Sequence, residues 1–302
     1  MRYLNATILD GIGNTPLVSL NHLNPFPGVQ MFAKIEGMNP TGSLKDRIAK
    51  YMIERAEEEG SLTREKIIIE ASSGNTGISL GMVAAIKGYK VKIFMPETKS
   101  IERRKTMLLG GVEIVLTSGK DQNSHIKATE ELARTESEKY FYFDQNGNEN
   151  NVNAHYHTTA AEIISQMNGK IDVLVAGFGT GGTIIGCARR IKQVNRNALI
   201  ISVEPEKPIS KIEGLLHMNG EYIPKIYNPS LIDHVERVSD QNAVEMTRRI
   251  AREEGIYAGI SSGAVLFAAL KWAERLKKGN FILIFADRAD RYLSTVLCEG
   301  LA

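Results

Sequence analysis

A lysine in the segment EGMNPTGSLKDRIAK, residues 36–50, stands where its side chain could do covalent chemistry. Lys45 follows a turn that contains Pro40 and Gly42, and the residues after it favour a helix. A lysine in the first turn of a helix is ordinarily a solvated surface charge. If the turn instead delivers the amine into a desolvated pocket, part of it becomes neutral and nucleophilic at working pH. The segment by itself leaves both alternatives open.

Two polar turns elsewhere in the chain are candidate anion sites. SSGNTG, residues 72–77, follows the apolar run 66–71, and GTGGT, residues 179–183, follows the run 171–178. Each turn precedes a helical pattern, and glycines at a helix N-terminus expose backbone N–H groups to an anion. GTGGT therefore suits a phosphate, and the polar side chains of SSGNTG suit a carboxylate. A tight connection at GTGGT and a plain N-cap at SSGNTG are the alternatives.

A third turn, AGISSGAV at residues 258–265, also precedes a helical pattern, where Ser261 or Ser262 would serve as an ordinary N-cap. The glycine turn at 179–183 does not combine GxGxxG spacing with an acidic ribose partner, and no Gly-Lys-Ser/Thr follows it. A nucleotide-binding protein with a misleading glycine loop is therefore the weaker alternative.

The composition is that of an ordinary soluble globular protein, with 302 residues, 43% hydrophobic and 24% charged. The net charge of +2 indicates neither nucleic acid nor an anionic membrane as a partner, and the run ERRK at 102–105 is expected to be the solvated face of a helix. Cys187 and Cys298 have no metal-ligand spacing, so no disulfide or metal site is predicted and the cytoplasm is the expected compartment. Neither a signal peptide nor a membrane span is predicted.

Short β-branched runs alternate with helical patterns along the chain. Parallel sheets covered by helices on both faces have this pattern, since crossover helices bury both faces of the sheet. The sequence therefore predicts an α/β fold, and the loop-rich stretch 144–159 is a candidate boundary between two lobes. Strands are predicted at 66–71, 90–96, 112–117, 171–178, 198–205 and 280–287, and helices at 77–88, 100–111 and 184–194.

The motifs taken together resemble one enzyme family. IGNTPLV, NPTGSLKDR, SSGNTGISL, GTGGT, GISSGA and DRADRYLST occur in the order typical of the fold-type II pyridoxal-phosphate enzymes, and within them of the cysteine synthase family. MPETKSIERRKTM, AHYHTTAAEI and EYIPKIYNPSLID resemble the B-type, CysM-like members. The resemblance covers essentially the whole chain. It implies two lobes, each with a mainly parallel sheet covered by helices: a smaller mobile lobe at 38–146, and a larger, phosphate-binding lobe formed by 1–37 and 147–302.

The resemblance also implies pyridoxal 5′-phosphate (PLP) as the cofactor and no metal. Lys45 would form the Schiff base with PLP and move the substrate α-proton, Asn75 would bond the ring 3′-oxygen, and Ser262 would face the pyridine nitrogen. The phosphate would be held by Gly179, Thr180, Gly181, Gly182 and Thr183. The substrate carboxylate would be held by Ser72, Ser73, Thr76 and Gln145.

A hydroxyl beside the pyridine nitrogen makes the ring a milder electron sink than a carboxylate would. Elimination of a β-leaving group to an aminoacrylate, followed by addition of a nucleophile, then fits better than transamination. Asp287 and Arg288 would lie near the same ring edge, behind the residues that touch it, and a surface ion pair is the alternative. His155 and His157 are expected to have structural roles, because the motif around them leads into a helix between the lobes.

Several positions depart from the family pattern. Ser72 replaces the usual threonine but keeps the hydroxyl. Leu215 and Leu216 stand where B-type relatives that accept thiosulfate or phosphoserine carry arginine. Arginine suits a doubly charged oxyanion, so its absence argues against phosphoserine and weakens thiosulfate as a substrate. His217 or Lys211 is a possible replacement that the spacing does not support.

The combined expectation is a homodimeric, cytoplasmic β-replacement enzyme that takes O-acetyl-L-serine and sulfide to L-cysteine and acetate. Cystathionine β-synthase activity with homocysteine and sulfide release from L-cysteine are the alternatives within the family, since both use the same aminoacrylate. Dehydratases fit less well, because they carry other residues around the lysine. A non-catalytic binding protein on the same scaffold is the alternative from another class.

Overall fold

The computed structural model describes residues 6–118, 123–218 and 222–301. Its strands are β1 (Leu17–Ser19), β2 (Val29–Ile35), β3 (Ile67–Ala71), β4 (Lys90–Pro96), β5 (Glu113–Thr117), β6 (Tyr140–Tyr142), β7 (Val173–Gly177), β8 (Leu199–Pro205), β9 (His234–Val238) and β10 (Gly279–Phe285). Its α-helices are α1 (Lys45–Glu58), α2 (Asn75–Lys87), α3 (Ile101–Leu109), α4 (Ser124–Thr135), α5 (Glu149–His157), α6 (Thr159–Gln166), α7 (Gly182–Val194), α8 (Asp240–Glu253) and α9 (Ile260–Leu276). None of the helices in these ranges is long and apolar enough to cross a membrane.

The larger sheet has the strand order β1-β2-β10-β7-β8-β9, and only the pairing of β1 with β2 is antiparallel among the described strands. Both of its faces are buried. Ile200 and Ile201 are neighbours in β8 whose side chains point to opposite faces, and each is completely buried in a different apolar cluster. Helices on both faces explain why the strands carry continuous apolar runs instead of alternating ones.

The smaller sheet has the order β5-β4-β3-β6, and all three of its pairings are parallel. Its core includes Ile68 from β3 and Ile48 from α1, and it also takes in Leu9 and Ala154. The α/β fold with mainly parallel sheets is therefore confirmed. The lobe boundaries at 38–146 stay a prediction, although the four strands of this sheet all lie within that range.

Two sequence-based expectations were wrong. The stretch 144–159, expected to be loop-rich, contains α5, whose N-terminus is capped by the Asn148 side chain accepting from the Asn150 N–H at 2.9 Å. The asparagines that suggested a loop thus supply a helix cap. The run ERRK at 102–105 was expected to be solvated, but Arg103 is only 2% exposed.

Candidate active site

A cavity of about 600 Å3, counting the solvent at its mouth, lies beyond the carboxyl ends of β7 and β10. Open parallel sheets bind ligands at such strand ends. The cavity brings together the lysine turn, the glycine turn and the end of the last strand, which are far apart in sequence. Its wall comprises Leu44, Lys45, Asn75, Gly177, Gly179, Thr180, Gly181, Thr183, Glu213, Gly214, Leu215, Ser261, Val265, Ile284, Ala286 and Asp287.

Lys45 is the first residue of α1, and its side chain lines the cavity. The turn before it is tied to the end of β10, because the Leu44 N–H donates to the Ala286 carbonyl at 2.9 Å. Burial lowers the pKa of Lys45 to about 8, although the charges of Asp287 and Glu70 act to raise it. A substantial share of the amine is therefore neutral near pH 8, which favours the covalent alternative over the surface charge.

The start of α1 is held by a buried network of charges. Arg47 donates to Glu36 at 2.6 Å and to Glu162 at 2.6 Å, and Lys34 donates to the second oxygen of Glu162 at 2.7 Å. Burial alone would raise the pKa of Glu162, but the hydrogen bonds and charge of Arg47 and the hydrogen bond from Lys34 outweigh it and lower the pKa to about 2. Because every charge has a partner, the network fixes α1 against α6 and so fixes the lysine.

Asp287 receives two hydrogen bonds on one carboxylate oxygen. The Asn75 Nδ2 donates to Asp287 Oδ2 at 2.7 Å, and the Tyr292 hydroxyl donates to the same atom at 2.8 Å. Asn75 Oδ1 and Asp287 Oδ1 are buried and have no hydrogen-bond partner among the described residues. Buried polar atoms are normally paired, so these two oxygens indicate where a ligand completes the site.

The glycine turn that follows β7 is shaped by close backbone contacts. A Cβ on Gly179 would overlap the carbonyl oxygen of Gly214, and Gly181 has a φ of +94°, which favours glycine. The Thr180 hydroxyl accepts from Asn151 Nδ2 at 3.0 Å. The turn thereby opens the N-terminal N–H groups of α7, which have no partners within the helix, toward the cavity.

The first residues of α7 continue the turn. Gly182 is buried against Asn151, which a Cβ there would overlap, and the Thr183 hydroxyl lies 3.2 Å from His155 Nε2. Thr183 lines the cavity, whereas Gly182 does not. One turn further along the helix, burial raises the pKa of the Cys187 thiol to about 12.

The residues predicted to bind the substrate carboxylate are hydrogen-bonded within the protein. Ser72 Oγ accepts from two backbone N–H groups of its own turn, at 3.1 and 3.3 Å. The Thr76 hydroxyl donates to Gln145 Oε1 at 2.6 Å. Gln145 Nε2 in turn donates to the Ala71 carbonyl at 2.8 Å and to the Glu70 carboxylate at 3.1 Å. The three residues are thus brought together. Thr76 and Gln145 are bonded to each other, and Ser72 is bonded to N–H groups at the start of α2.

Glu70 is a completely buried carboxyl beneath this group. Burial and, to a smaller extent, the nearby charge of Asp144 raise its pKa to about 8, against the lowering effect of hydrogen bonds from Gln145. Glu70 is therefore largely protonated near neutral pH, a state that no local pattern predicts.

Arg103 reaches from α3 to the polar turn. It forms an ion pair with Glu213, lies 3.4 Å from the Ser73 carbonyl oxygen and sits 4.9 Å above the ring of Tyr292. The run ERRK looks solvated in the sequence, because the acidic partner lies far along the chain. Glu213 lines the cavity, but the sequence analysis missed it, because nothing in the loop around it marks it as functional.

The serine turn before α9 offers a second candidate hydroxyl. Ser261 lines the cavity, whereas Ser262 is completely buried and its Oγ has no hydrogen-bond partner in the described part of the chain. The predicted role of Ser262 stays a prediction, and Ser261 joins it as a candidate for the same role. The two serines are adjacent and both lie in the first turn of α9, behind its N-cap Gly259, so the sequence could not tell which one faces the ligand.

The remaining predicted residues have identifiable contacts. His217 Nδ1 lies 2.8 Å from the Pro205 carbonyl oxygen, while Leu215 lines the cavity; residues 219–221 of that loop lie outside the described residues. His157 packs in a stacked arrangement with the Tyr51 ring, 6.1 Å between centroids. Arg288 is exposed and forms an ion pair with Asp290 at 3.2 Å, whereas Asp287 is buried, so the two residues do not form the surface pair considered as the alternative.

Comparison with known proteins agrees with this geometry. Residues 8–287 match the family described as pyridoxal-phosphate dependent enzyme. Cysteine synthase B of Salmonella typhimurium is 41% identical over 96% of this chain and 95% of its own length. The solved structure of cysteine synthase from Entamoeba histolytica has a TM-score of 0.92 at 36% identity and covers 98% of this chain and 91% of its own. A hydrogen sulfide-producing enzyme from Fusobacterium nucleatum has a TM-score of 0.91 at 42% identity and covers 96% and 100%.

The coverage is nearly complete for both the sequence and the structural comparisons, and it includes every turn that forms the cavity. The resemblance drawn from the motifs, and PLP as the cofactor, are therefore confirmed. The chain belongs to the pyridoxal-phosphate-dependent enzymes and, within them, to the cysteine synthase family.

Proposed function

We propose that the protein is a β-replacement enzyme that converts O-acetyl-L-serine and sulfide to L-cysteine and acetate. The observation that carries this proposal is the amine of Lys45, whose pKa is lowered to about 8 and which shares one cavity with Asn75 and the glycine turn 179–183. Relatives named cysteine synthase, similar over nearly the whole chain, support the same activity.

The described residues fit PLP. The glycine turn at the start of α7 suits a phosphate, because helix N-terminal N–H groups attract anions. Asn75 Oδ1, buried and without a partner among the described residues, can accept from a ring hydroxyl. The predicted donation to the ring 3′-oxygen would use the second N–H of Asn75 Nδ2, because the first donates to Asp287. Ser261 or Ser262 supplies a hydroxyl for the ring nitrogen.

Bound PLP supplies an electron sink for negative charge at the substrate α-carbon. The chain supplies the acid–base group, and Lys45 is suited to it, because a pKa of about 8 lets the amine both take and return a proton near neutral pH. The charge of Asp287 stabilises the protonated amine. The polar turn 72–77 and Gln145 orient the substrate by its carboxylate, for which they must give up some of their mutual hydrogen bonds.

The wall near Leu215 favours a donor whose β-substituent is uncharged while it is bound. Glu213 adds a carboxylate to this part of the cavity, and it pairs with Arg103, so the guanidinium is not free to bind an anion. A phosphate or sulfonate on the donor would meet an apolar side chain and a carboxylate there, which disfavours it. An acetyl ester meets neither penalty, and this supports O-acetyl-L-serine over phosphoserine.

Release of sulfide from L-cysteine is the second candidate function. The observation that favours it is the 42% identity to a hydrogen sulfide-producing enzyme that aligns over its whole length. Both reactions begin with removal of the same α-proton, so Lys45 would have the same role in each.

We further propose that residues 38–146 form a lobe that closes over the rest of the chain when substrate binds, excluding water. Contacts such as the Arg103–Glu213 pair, which joins α3 to the loop after β8, are suited to change in that closure. A cytoplasmic homodimer is part of the same proposal. Leu109, 90% exposed at the end of α3, is apolar surface that a second copy could cover. Light scattering of the purified protein tests the dimer.

The first experiment is to reduce the PLP-loaded protein with borohydride, digest it and find the labelled peptide by mass spectrometry. We expect the label on Lys45 and none in Lys45→Ala, while Lys50→Ala, a change on the same helix, keeps it. Label on another lysine would overturn the site. Cysteine formed from O-acetyl-L-serine and sulfide, compared with sulfide formed from L-cysteine alone, then separates the two candidate functions.

A further inference from the structure

A histidine that the motif analysis treated as structural lies directly behind the glycine turn. His155 in α5 is completely buried, and each of its ring nitrogens faces a threonine hydroxyl. Nδ1 lies 2.9 Å from Thr159 Oγ1, and Nε2 lies 3.2 Å from Thr183 Oγ1. Thr183 lines the cavity. The three side chains therefore form a line from α6 to the phosphate end of the site.

This line depends on close packing of two helices. A Cβ on Gly186 in α7 would come within 2.9 Å of His155 Cβ and would overlap the Val152 carbonyl oxygen. Any larger residue at Gly186 would push α5 away and move the imidazole from Thr183. The glycine thus allows the histidine to reach the first turn of α7.

The imidazole is held in its neutral form. Burial lowers the pKa of His155 well below its ordinary value, and the positive charges of Lys45 and Arg47 lower it further. A neutral imidazole has one N–H donor and one acceptor nitrogen. One of the two threonines must therefore accept from the ring and the other must donate to it.

The direction of these bonds decides what Thr183 can do. A threonine hydroxyl has a single proton, and a phosphate dianion offers only acceptors. Thr183 can donate to a phosphate only if its hydroxyl does not donate to the histidine. Its hydroxyl oxygen must therefore accept from the Nε2–H of His155. Nδ1 is then the acceptor, and Thr159 donates to it.

We propose that His155 is a positioning residue that holds Thr183 as a hydrogen-bond donor to the cofactor phosphate, with Thr159 fixing the histidine in the Nε2–H tautomer. This inference rests on the proposed function, because it takes the turn 179–183 as the phosphate site. A purely packing role for His155 requires no particular tautomer and leaves Thr183 free to donate to the ring.

The direct test is the 15N spectrum of the PLP-loaded protein labelled in its six histidines. We expect the His155 ring, identified by contacts with the methyl groups of Thr159 and Thr183, to carry its proton on Nε2 throughout pH 6–9. A proton on Nδ1, or an imidazolium in that range, would overturn the proposal. Because the measurement uses the unaltered chain, it does not depend on whether a variant folds.

The second test changes the residue that fixes the tautomer. Thr159→Val should weaken PLP binding about tenfold, the effect of losing one well-oriented hydrogen bond, and should shift the 31P resonance of the bound cofactor. Thr159→Ser keeps the hydroxyl, so its PLP affinity and its 31P resonance should be those of the unaltered protein. Thr158→Val is the matched control, because the Thr158 hydroxyl donates to the Ala154 carbonyl at 2.6 Å and takes no part in the line to Thr183.

Failure of this inference can be told apart from failure of the proposed function. If the unaltered protein gives no borohydride-trapped PLP on Lys45, the proposed function fails. If trapping succeeds but Thr159→Val binds PLP as tightly as the unaltered protein, with an unchanged 31P resonance, then the role of His155 is wrong and the site stands.

Discussion

The glycine turn 179–183 and the polar turn 72–77 both follow a parallel strand and both precede a helix, yet their polar groups are in different states. In the glycine turn, Thr180 and Thr183 line the cavity, and His155 lies behind Thr183, 3.2 Å from its hydroxyl. In the polar turn, Ser72 accepts from two N–H groups of the turn and Thr76 donates to Gln145, and neither residue lines the cavity. The threonines of one turn thus face the ligand site, whereas the hydroxyls of Ser72 and Thr76 are bonded within the protein, and Asn75 is the member of the polar turn with an unpartnered oxygen among the described residues.

The difference matches the two kinds of ligand proposed for the site. A cofactor that stays bound is held most tightly by a rigid, preorganised cradle, because the conformational entropy of the binding groups is lost during folding and not on binding. A substrate that enters and leaves in every turnover must exchange its hydrogen bonds with those already present. Internal bonds such as Thr76 to Gln145 keep buried polar groups satisfied while no substrate is bound.

The largest effect on cofactor binding is expected from filling the rigid turn. Gly179→Ala would place a Cβ against the backbone oxygen of Gly214, which cannot swing away as a side chain would. We expect PLP affinity to fall roughly a hundredfold, or about 3 kcal/mol, as for overpacking in a core. Titration of the apoprotein with PLP measures this. Gly11→Ala is the control, since its Cβ would make only an ordinary 3.5 Å contact with Pro40. Unchanged affinity in Gly179→Ala would contradict a rigid cradle.

The next effect is a loss of stability as the pH rises, caused by the Glu70 carboxyl beneath the polar turn. The pKa of Glu70 is about 8 in the folded protein against an ordinary 4.5, so the folded state keeps a proton that the unfolded state has lost. This contribution to stability is therefore full below pH 4.5 and is lost as the pH rises to 8. We expect the free energy of unfolding to fall by about 5 kcal/mol over that range, at about 1.4 kcal/mol for each pH unit between 4.5 and 8.

Urea unfolding of the apoprotein at several pH values tests this, and Glu70→Gln should flatten the decline. An equally steep decline in Glu70→Gln would assign the pH dependence to other groups.

A smaller change is expected at Lys45, whose pKa is lowered by burial from 10.5 to about 8. The folded apoprotein therefore releases a proton that the unfolded chain still holds between these values, and the destabilisation is full below pH 8 and relieved by pH 10.5. Lys45→Met should stabilise the apoprotein by about 3 kcal/mol at pH 7 and by little at pH 10.5. The exposed Lys90→Met provides the comparison. Equal effects of the two substitutions at pH 7 would show that Lys45 is solvated.

The smallest effect is expected from Thr76→Val. It removes a hydroxyl from the exchangeable turn and leaves the phosphate cradle intact, so the KM for O-acetyl-L-serine should rise about tenfold while PLP affinity stays unchanged. Thr76→Ser should behave like the unaltered enzyme. A parallel loss of PLP affinity would mean that the two turns are not independent.

The sequence was sufficient for the features that depend on local pattern. The apolar run at 90–96 predicts β4 with the bounds that the structure has. Gly88 ends α2 with a left-handed φ of +79°, as a glycine after a helical pattern predicts. The lysine, the glycine turn and Asn75 meet in one cavity because strand order brings them together, and the motifs alone pointed to each of them.

What could not be predicted depends on long-range partners. Arg103 is buried because Glu213 neutralises it, and the two residues lie on separate segments of the chain. The protonated state of Glu70 results from burial beneath Gln145, which no local pattern encodes. Ser261 and Ser262 have the same local signals, and only the rotation of α9 decides which of them faces the cavity.

Cys187 lies on α7 one turn behind the glycine turn, completely buried, with a thiol whose pKa is raised to about 12. If the site handles sulfide and releases a thiol, an ionised cysteine this close would attack any disulfide that reached it, forming a mixed disulfide and releasing the other sulfur as a thiolate. Thiolate is the reactive form, and burial removes both the charge and the access. The same packing that holds the phosphate end of α7 therefore keeps the Cys187 thiol unreactive while sulfur compounds pass through the site beside it.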